Sequence, residues 1–144
     1  MESNNDVYKV VIAKLELMQS YFNELDPLLI PEDENILSNS VNLHAIERLF
    51  QLIVDAAIDI NTAIIKEKDM QPSLDYQSTF EIMATCKVLP DDLARAIAPS
   101  VGLRNALVHV YEKIDSKKVI HDIKRNIGQY RQYIKCILEY LDQA

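Results

Sequence analysis

Apolar residues recur along this chain at the spacing of one face of an α-helix. Tyr8, Val11, Leu15, Met18, Phe22 and Leu25 step by 3,4,3,4,3, which predicts a first helix from about Asp6, a suitable N-cap, to about Leu25. Pro27 and Pro31 predict its end, since proline donates no helical bond and restricts the residue before it. The acidic stretch from Pro31 to about Ser40 reads as a connector. Leu43, Ile46, Phe50, Ile53, Ala57, Ile60 and Ile64 step by 3,4,3,4,3,4, predicting a long second helix to about Lys68. Leu49, Leu52, Ala56 and Ala63 widen its stripe, so this helix needs several neighbours: it is either central in a bundle or part of an oligomer interface.

The stretch from Lys66 to Asp75, with Pro72, reads as a loop. Asp75 or Ser73 is placed to cap a third helix, with Tyr76, Phe80, Met83 and Val88 or Leu89 facing inward. Pro90 opens a short helix at its first turn, where Asp91 and Asp92 complement the helix N-terminus. Pro99 interrupts it, and a further helix to about His109 or Tyr111 follows. Asp115-Ser116 caps a last helix to about Asp142. There Ile120, Ile123, Ile127, Tyr130, Ile134, Ile137 and Leu141 repeat the 3,4 step, and Gly128 inside it costs roughly 1 kcal/mol against alanine. Only two glycines, Gly102 and Gly128, occur, which argues against a turn-rich barrel or sandwich. The expectation is a single all-α domain over 1–144, an antiparallel helical bundle with long second and last helices.

A chain of 144 residues that is 49% hydrophobic and 26% charged can bury a core unaided. It is neither disordered nor a membrane protein, and no apolar run approaches the roughly 18 residues that span a bilayer. The N-terminus has no basic-then-apolar signal pattern, so a cytoplasmic location is expected. Cys86 and Cys136 are far apart and read as buried reduced thiols, not a zinc site. Net charge is −7, but residues 104–144 carry eight Lys/Arg against five Asp/Glu, leaving −10 for residues 1–103. That excludes a uniformly basic nucleic-acid binder and leaves open a local basic region near residue 104.

Chemistry concentrates in Pro99-Ser100-Val101-Gly102-Leu103-Arg104-Asn105-Ala106-Leu107-Val108-His109-Val110-Tyr111. His109 can exchange a proton near neutral pH. Arg104 can hold a phosphate through paired N–H donors. Asn105 can orient the imidazole or bind a phosphate oxygen. Together these groups suffice for metal-free RNA cleavage by the ribose 2′-hydroxyl, without a cofactor. On a straight helix Arg104 and His109 lie about 140° apart. Joint action then needs a distorted helix, the long reach of arginine, or two chains facing each other across a two-fold axis. A salt-bridging Arg104, a satisfied His109 and a packing Tyr111 fit the same residues. Asp55 and Asp59, at i,i+4, are either a paired-carboxylate site or a polar edge meeting a cation such as Arg48. His44 and His121 read as surface residues.

The block Gly102-Leu103-Arg104-Asn105-Ala106-Leu107-Val108-His109-Val110-Tyr111, with Ile114-Asp115 after it, resembles the Arg-x4-His-x-Tyr signature of HepT toxins. These are HEPN-domain proteins encoded beside a minimal nucleotidyltransferase antitoxin, MntA or MNT. Glu47-Arg48-Leu49 through Ala57-Ile58-Asp59-Ile60 and Tyr76 to Pro90 resemble the family's flanking segments, so the likeness covers about residues 43–140. Ala106 departs from it, where relatives frequently carry a basic or polar residue. The resemblance implies a HEPN-type homodimer with facing motifs, and a metal-independent endoribonuclease using Arg104 and His109 with Asn105 beside them. It also implies that the antitoxin transfers AMP from ATP to Tyr111, placing bulk and negative charge beside Arg104. The contrasting possibilities are a non-catalytic HEPN partner that binds substrate or nucleotide for a nucleotidyltransferase, or a purely structural bundle.

Overall fold

The computed structural model describes residues 2–71, 75–109 and 114–143, with side chains from residue 6 onward. Seven helices follow one another: α1 Glu2–Leu29, α2 Asp33–Leu37, α3 Ser40–Glu67, α4 Ser78–Thr85, α5 Asp91–Ile97, α6 Ser100–Val108 and α7 Ser116–Asp142. No strand occurs among the described residues. The all-α expectation, with long second and last amphipathic segments, holds.

Side-chain pairs fix the directions of the long helices. Lys14 of α1 meets Asp59 of α3 at 2.9 Å. Arg131 of α7 pairs with Asp26 and lies over the Phe22 ring of α1, while Lys124 reaches Asp33 of α2 at 2.5 Å. Lys68 at the end of α3 lies over the Tyr140 ring near the end of α7. These pairs make α1 antiparallel to both α3 and α7, which run the same way. The short helices α4, α5 and α6 complete the enclosure.

The helical stripes are the core. Val11, Met18, Phe22 and Leu25 of α1, Ile46, Phe50, Ile53, Ile60 and Ile64 of α3, and Ile120, Ile123, Tyr130 and Ile137 of α7 are all but inaccessible. The width of the α3 stripe is consumed within one chain: Leu49 and Ala56 are buried, and Leu52 and Ala63 half-buried. Burying such side chains contributes roughly 1.5–3 kcal/mol each. At its centre Phe80, Tyr130 and Tyr133 form an edge-to-face trio with centroids 5.9–6.4 Å apart, the arrangement ring quadrupoles favour.

Several boundaries differ from the sequence reading. Asp6 lies inside α1, which starts at Glu2 and carries Pro27 within its last turn. A proline there forfeits a single helical bond before the helix ends, and Pro31 sets the stop. The connector after Pro31 folds as α2, because Ile36 has a core position to fill. Tyr76, expected inside, is 60% exposed. The cysteines are half-buried free thiols, and burial, then the nearby Glu139, pushes the Cys136 thiol up. Pro90 stands just before α5 at its N-cap, not inside it. Pro72 and Ser73 lie outside the described residues.

Helix ends that glycine usually makes are made here by other residues. Asp69 (φ 55°) and Lys87 (φ 63°) take the left-handed conformation. After α3 the Met70 N–H donates to the Ile65 carbonyl at 3.2 Å and Asp69 to Lys66 at 3.1 Å. After α4 the Val88 N–H donates to Met83 and Lys87 to Ala84, both at 2.9 Å. Both are Schellman closures, and the second turns Val88 and Leu89 into the core.

Candidate functional site

Helix α6 is pinned to the core from beneath. Val101 and Leu107 are buried on its inner face. Ser100, 1% exposed, shares a 2.6 Å hydrogen bond with the Tyr130 hydroxyl of α7. Burial pushes the Tyr130 phenol well above its ordinary range, with the Asp55 carboxylate adding to the shift and the Ser100 bond opposing it. A Cβ added at Gly102 would meet nothing within 4 Å, so packing does not require glycine there. The outer face of α6 presents Arg104, Asn105 and Ala106.

Arg104 does not swing freely. Its Nε–H donates to Asp55 Oδ1 of α3 at 2.8 Å, and an Nη1–H donates to Asn105 Oδ1 at 3.0 Å. Side-chain exposures of 24% for Arg104 and 38% for Asp55 place the ion pair at the rim of the core. The guanidinium is a planar fork with several donors. Anchoring one edge to Asp55 fixes its plane and leaves Nη donors to be directed outward. Asn105 uses its carbonyl oxygen in this arrangement, so its amide N–H groups are not spent on Arg104.

His109 caps the C-terminus of α6 at φ −102°, ψ 64°, its N–H still donating to the Asn105 carbonyl at 2.9 Å. The helix therefore ends at Val108, and the chain leaves the helical path after His109, whose own backbone N–H is still held by the last turn. His109 is exposed. Tyr111 lies outside the described residues, as do Val110, Glu112 and Lys113.

Asp55 and Asp59 are split between two partners. Asp55 holds Arg104 and Asp59 holds Lys14, so the expected cation, Arg48, is not theirs; it bonds Gln51 instead. Among the described residues no three His, Cys, Asp or Glu side chains converge as a metal site needs. His44 and His121 are exposed, as expected.

The sequence reading missed a buried polar chain behind the site. The Tyr133 hydroxyl donates to Asn61 Oδ1 at 2.6 Å and to the Ala57 carbonyl at 3.1 Å. Asn61 Nδ2 donates to Thr79 Oγ1 at 3.0 Å, and the Thr79 hydroxyl donates to the Tyr76 carbonyl at 2.7 Å. Asn61 on the apolar face of α3 was its one visible signal, because a polar residue there must find partners. The N-cap position of α4 is Gln77, with no side-chain bond of its own. Asp75, two residues earlier, closes the turn into the helix, its carboxylate accepting from the Ser78 N–H at 2.8 Å and from the Ser78 hydroxyl. The backbone bond, then the hydroxyl bond, hold its pKa below the usual range.

Comparison with known proteins places this geometry. The family model described as "Ribonuclease HepT-like" matches residues 12–137. A tRNA nuclease HepT of Aphanizomenon flos-aquae is 36% identical over 132 residues, covering 92% of this chain and 90% of the relative. An mRNA nuclease HepT of Shewanella oneidensis is 25% identical over 87 residues, covering 60% of this chain and 65% of the relative. Among solved structures, a tri-AMPylated Shewanella oneidensis HEPN toxin in complex with MNT antitoxin superposes with a TM-score of 0.82 at 18% identity, covering 90% of this chain and 97% of that one. A Bacillus subtilis cytosolic protein of unknown function, YutE, superposes at 0.75 and 20% identity over 91% and 90% of the two chains. At those identities the structures speak for the fold, which is the HEPN bundle. The sequence match spans nearly the whole chain and includes the anchored arginine of α6, and on that ground the chain belongs to the HepT-like ribonuclease family.

Proposed function

We propose that this protein is a metal-independent endoribonuclease toxin, a single HEPN domain over 1–144 acting in the cytoplasm as a homodimer. The observation that carries the reading is Arg104, held by Asp55 and Asn105 with donors left over, at the head of an Arg-x4-His-x-Tyr block in a HepT-like chain.

In the proposed reaction the ribose 2′-hydroxyl attacks the adjacent phosphorus, and the bond to the 5′-oxygen breaks. The products are a 2′,3′-cyclic phosphate and a 5′-hydroxyl. His109 takes the 2′-hydroxyl proton or supplies one to the leaving oxygen. Two facing copies in a dimer provide one histidine for each task. The Arg104 guanidinium pairs with the non-bridging oxygens as charge grows on them, and Asn105 donates from its amide. Each missing donor of this kind typically costs about 10²–10³ in rate.

The toxin is controlled by an MntA-type nucleotidyltransferase antitoxin. The Tyr111 hydroxyl attacks the α-phosphorus of ATP, pyrophosphate leaves, and O-AMP-tyrosine results. Its charge repels an RNA phosphate from Arg104. The relative solved in complex with an MNT antitoxin is tri-AMPylated, which supports this reading for the present chain.

The test is cleavage of a mixed RNA pool without added metal, by wild-type protein made without any nucleotidyltransferase, beside His109→Ala. The histidine is exposed at a helix end, so its replacement leaves the core intact. Cleavage by wild type alone, with cyclic-phosphate ends, is expected. No cleavage by protein whose mass shows Tyr111 unmodified, or full activity of folded His109→Ala, overturns the reading.

A further inference from the structure

Tyr76 breaks the hydrophobic pattern that places it inside, and places where a local pattern fails are where function or strain is to be sought. It is 60% exposed. Its carbonyl is tied through Thr79 and Asn61 to Tyr133 at the core, and the Asp75–Ser78 turn holds the chain on the other side. The ring therefore stands on a fixed base. It borders an open groove of about 480 Å³ between the start of α4 and α6, lined also by Gln77, Glu81, Val101 and Asn105.

This groove touches the reacting centre through Asn105, which holds the Arg104 guanidinium. Its chemistry suits a base and not a phosphate. Asp75 and Glu81 repel phosphates, since both are surface carboxylates, which are ionised at neutral pH. An aromatic face stacks any base at roughly 1–3 kcal/mol by alanine substitution, and single-stranded RNA is read by stacking and by its base edges. An ionised carboxylate only accepts hydrogen bonds, so it pairs with donor groups on a base edge. Glu81 is exposed and so available to an exocyclic amino group.

We propose that the Tyr76–Glu81–Asn105 groove is a base subsite of the ribonuclease, taking an unpaired nucleobase next to the scissile phosphate, stacked on Tyr76 with its amino edge toward Glu81. It prefers cytosine, adenine or guanine to uracil, whose pairing edge carries carbonyls in place of an amino group. The subsite rests on the ribonuclease reading above, and its test has a readout independent of cleavage.

The experiment uses the full chain. Binding of short single-stranded oligoribonucleotides carrying 2-aminopurine is followed by fluorescence quenching in a His109→Ala background, where no RNA is consumed. Cleavage kinetics are measured in parallel with His109 intact. Tyr76→Ala is expected to weaken binding and raise KM by roughly tenfold, within the range of a lost stack, with kcat little changed. Tyr76→Phe and Tyr76→Trp should retain quenching. Glu81→Leu, which removes the acceptor, should lose the preference for amino-bearing bases while leaving the binding of uridine-rich oligonucleotides no weaker. Unchanged binding in folded Tyr76→Ala overturns the subsite. Equal loss in Tyr76→Phe also overturns it, and so does loss of dimerisation or antitoxin binding without loss of RNA binding, which gives the groove to a protein partner. Absence of cleavage in all forms with quenching retained sinks the ribonuclease reading and leaves the subsite standing.

Discussion

The bond between Asp55 and Arg104 permits a prediction with a worked magnitude. A hydrogen bond to a charged group contributes about 1.5–3 kcal/mol when shielded from water. Asp55 is 38% exposed, so solvent screening brings its share of stability down to about 1 kcal/mol. Asp55→Ala therefore stays folded. Its effect on rate is larger, because the 2.8 Å contact sets the plane of the guanidinium. A catalytic group displaced by an ångström can lose about 100-fold. Asn105 still holds one Nη of Arg104, so a 10- to 100-fold fall in kcat is expected, about 1.4–2.7 kcal/mol of activation free energy. KM should hold or fall, since the lost carboxylate no longer repels phosphate. Asp55→Asn keeps an acceptor for Nε and should stay within about threefold of wild type, because it changes charge and not geometry. The assay is steady-state cleavage of a fluorescent oligoribonucleotide, with circular dichroism confirming the fold. Folded Asp55→Ala at wild-type kcat would refute the reasoning, and Asp55→Asn as impaired as Asp55→Ala would show that charge, not orientation, matters.

Tyr111→Phe is expected to stay toxic yet escape silencing by the co-expressed antitoxin; silencing of this variant, scored by growth and intact mass, would contradict the modification reading. Tyr133→Phe strands Asn61 Oδ1 in the core, while the Ala57 carbonyl keeps its helical bond; the loss should cost about 1–3 kcal/mol. In a thermal melt that is a fall in Tm of roughly 3–10 °C; an unchanged Tm would show that the chain is not held by this hydroxyl. Burial raises the Tyr130 and Tyr133 phenols in the fold, whereas in the unfolded chain they ionise near their ordinary value of about 10. The unfolded state thus releases protons first as pH rises, so this stability is complete below about pH 10 and declines above it. Tm measured from pH 8 to 11 should drop at the alkaline end, and less steeply in Tyr130→Phe; identical profiles would argue against the assignment.

The 3,4 periodicity alone determined the long helices and the centre line of each apolar stripe, because an amphipathic face has only one way to leave water. It did not reach the flanking buried positions Val54, Ile58 and Tyr133, and it counted Tyr8, which is exposed. The Asp115 cap was equally legible: its side chain accepts from the Lys118 N–H as a local rule demands. Arg104, Asn105 and His109 could be named as candidates from residue type and from the likeness of their block to a known signature, while their spacing alone set Arg104 and His109 on different faces. Tertiary structure decided what those groups touch. Arg104 and Asp55 are 49 residues apart, and no local pattern favours that carboxylate over its neighbour Asp59, which went to Lys14. The same holds for α2, formed because Ile36 found a core position, and for Pro27, tolerated because the helix was about to end. It holds for Tyr76 too. Helical spacing assigned it inward, but α4 begins only at Ser78. The chain before that helix obeys the Thr79–Asn61–Tyr133 bonds and not the helical period, so the ring is left at the surface beside Asn105. Periodicity encodes which face of an element is apolar; which distant partner meets a polar group depends on how the elements pack.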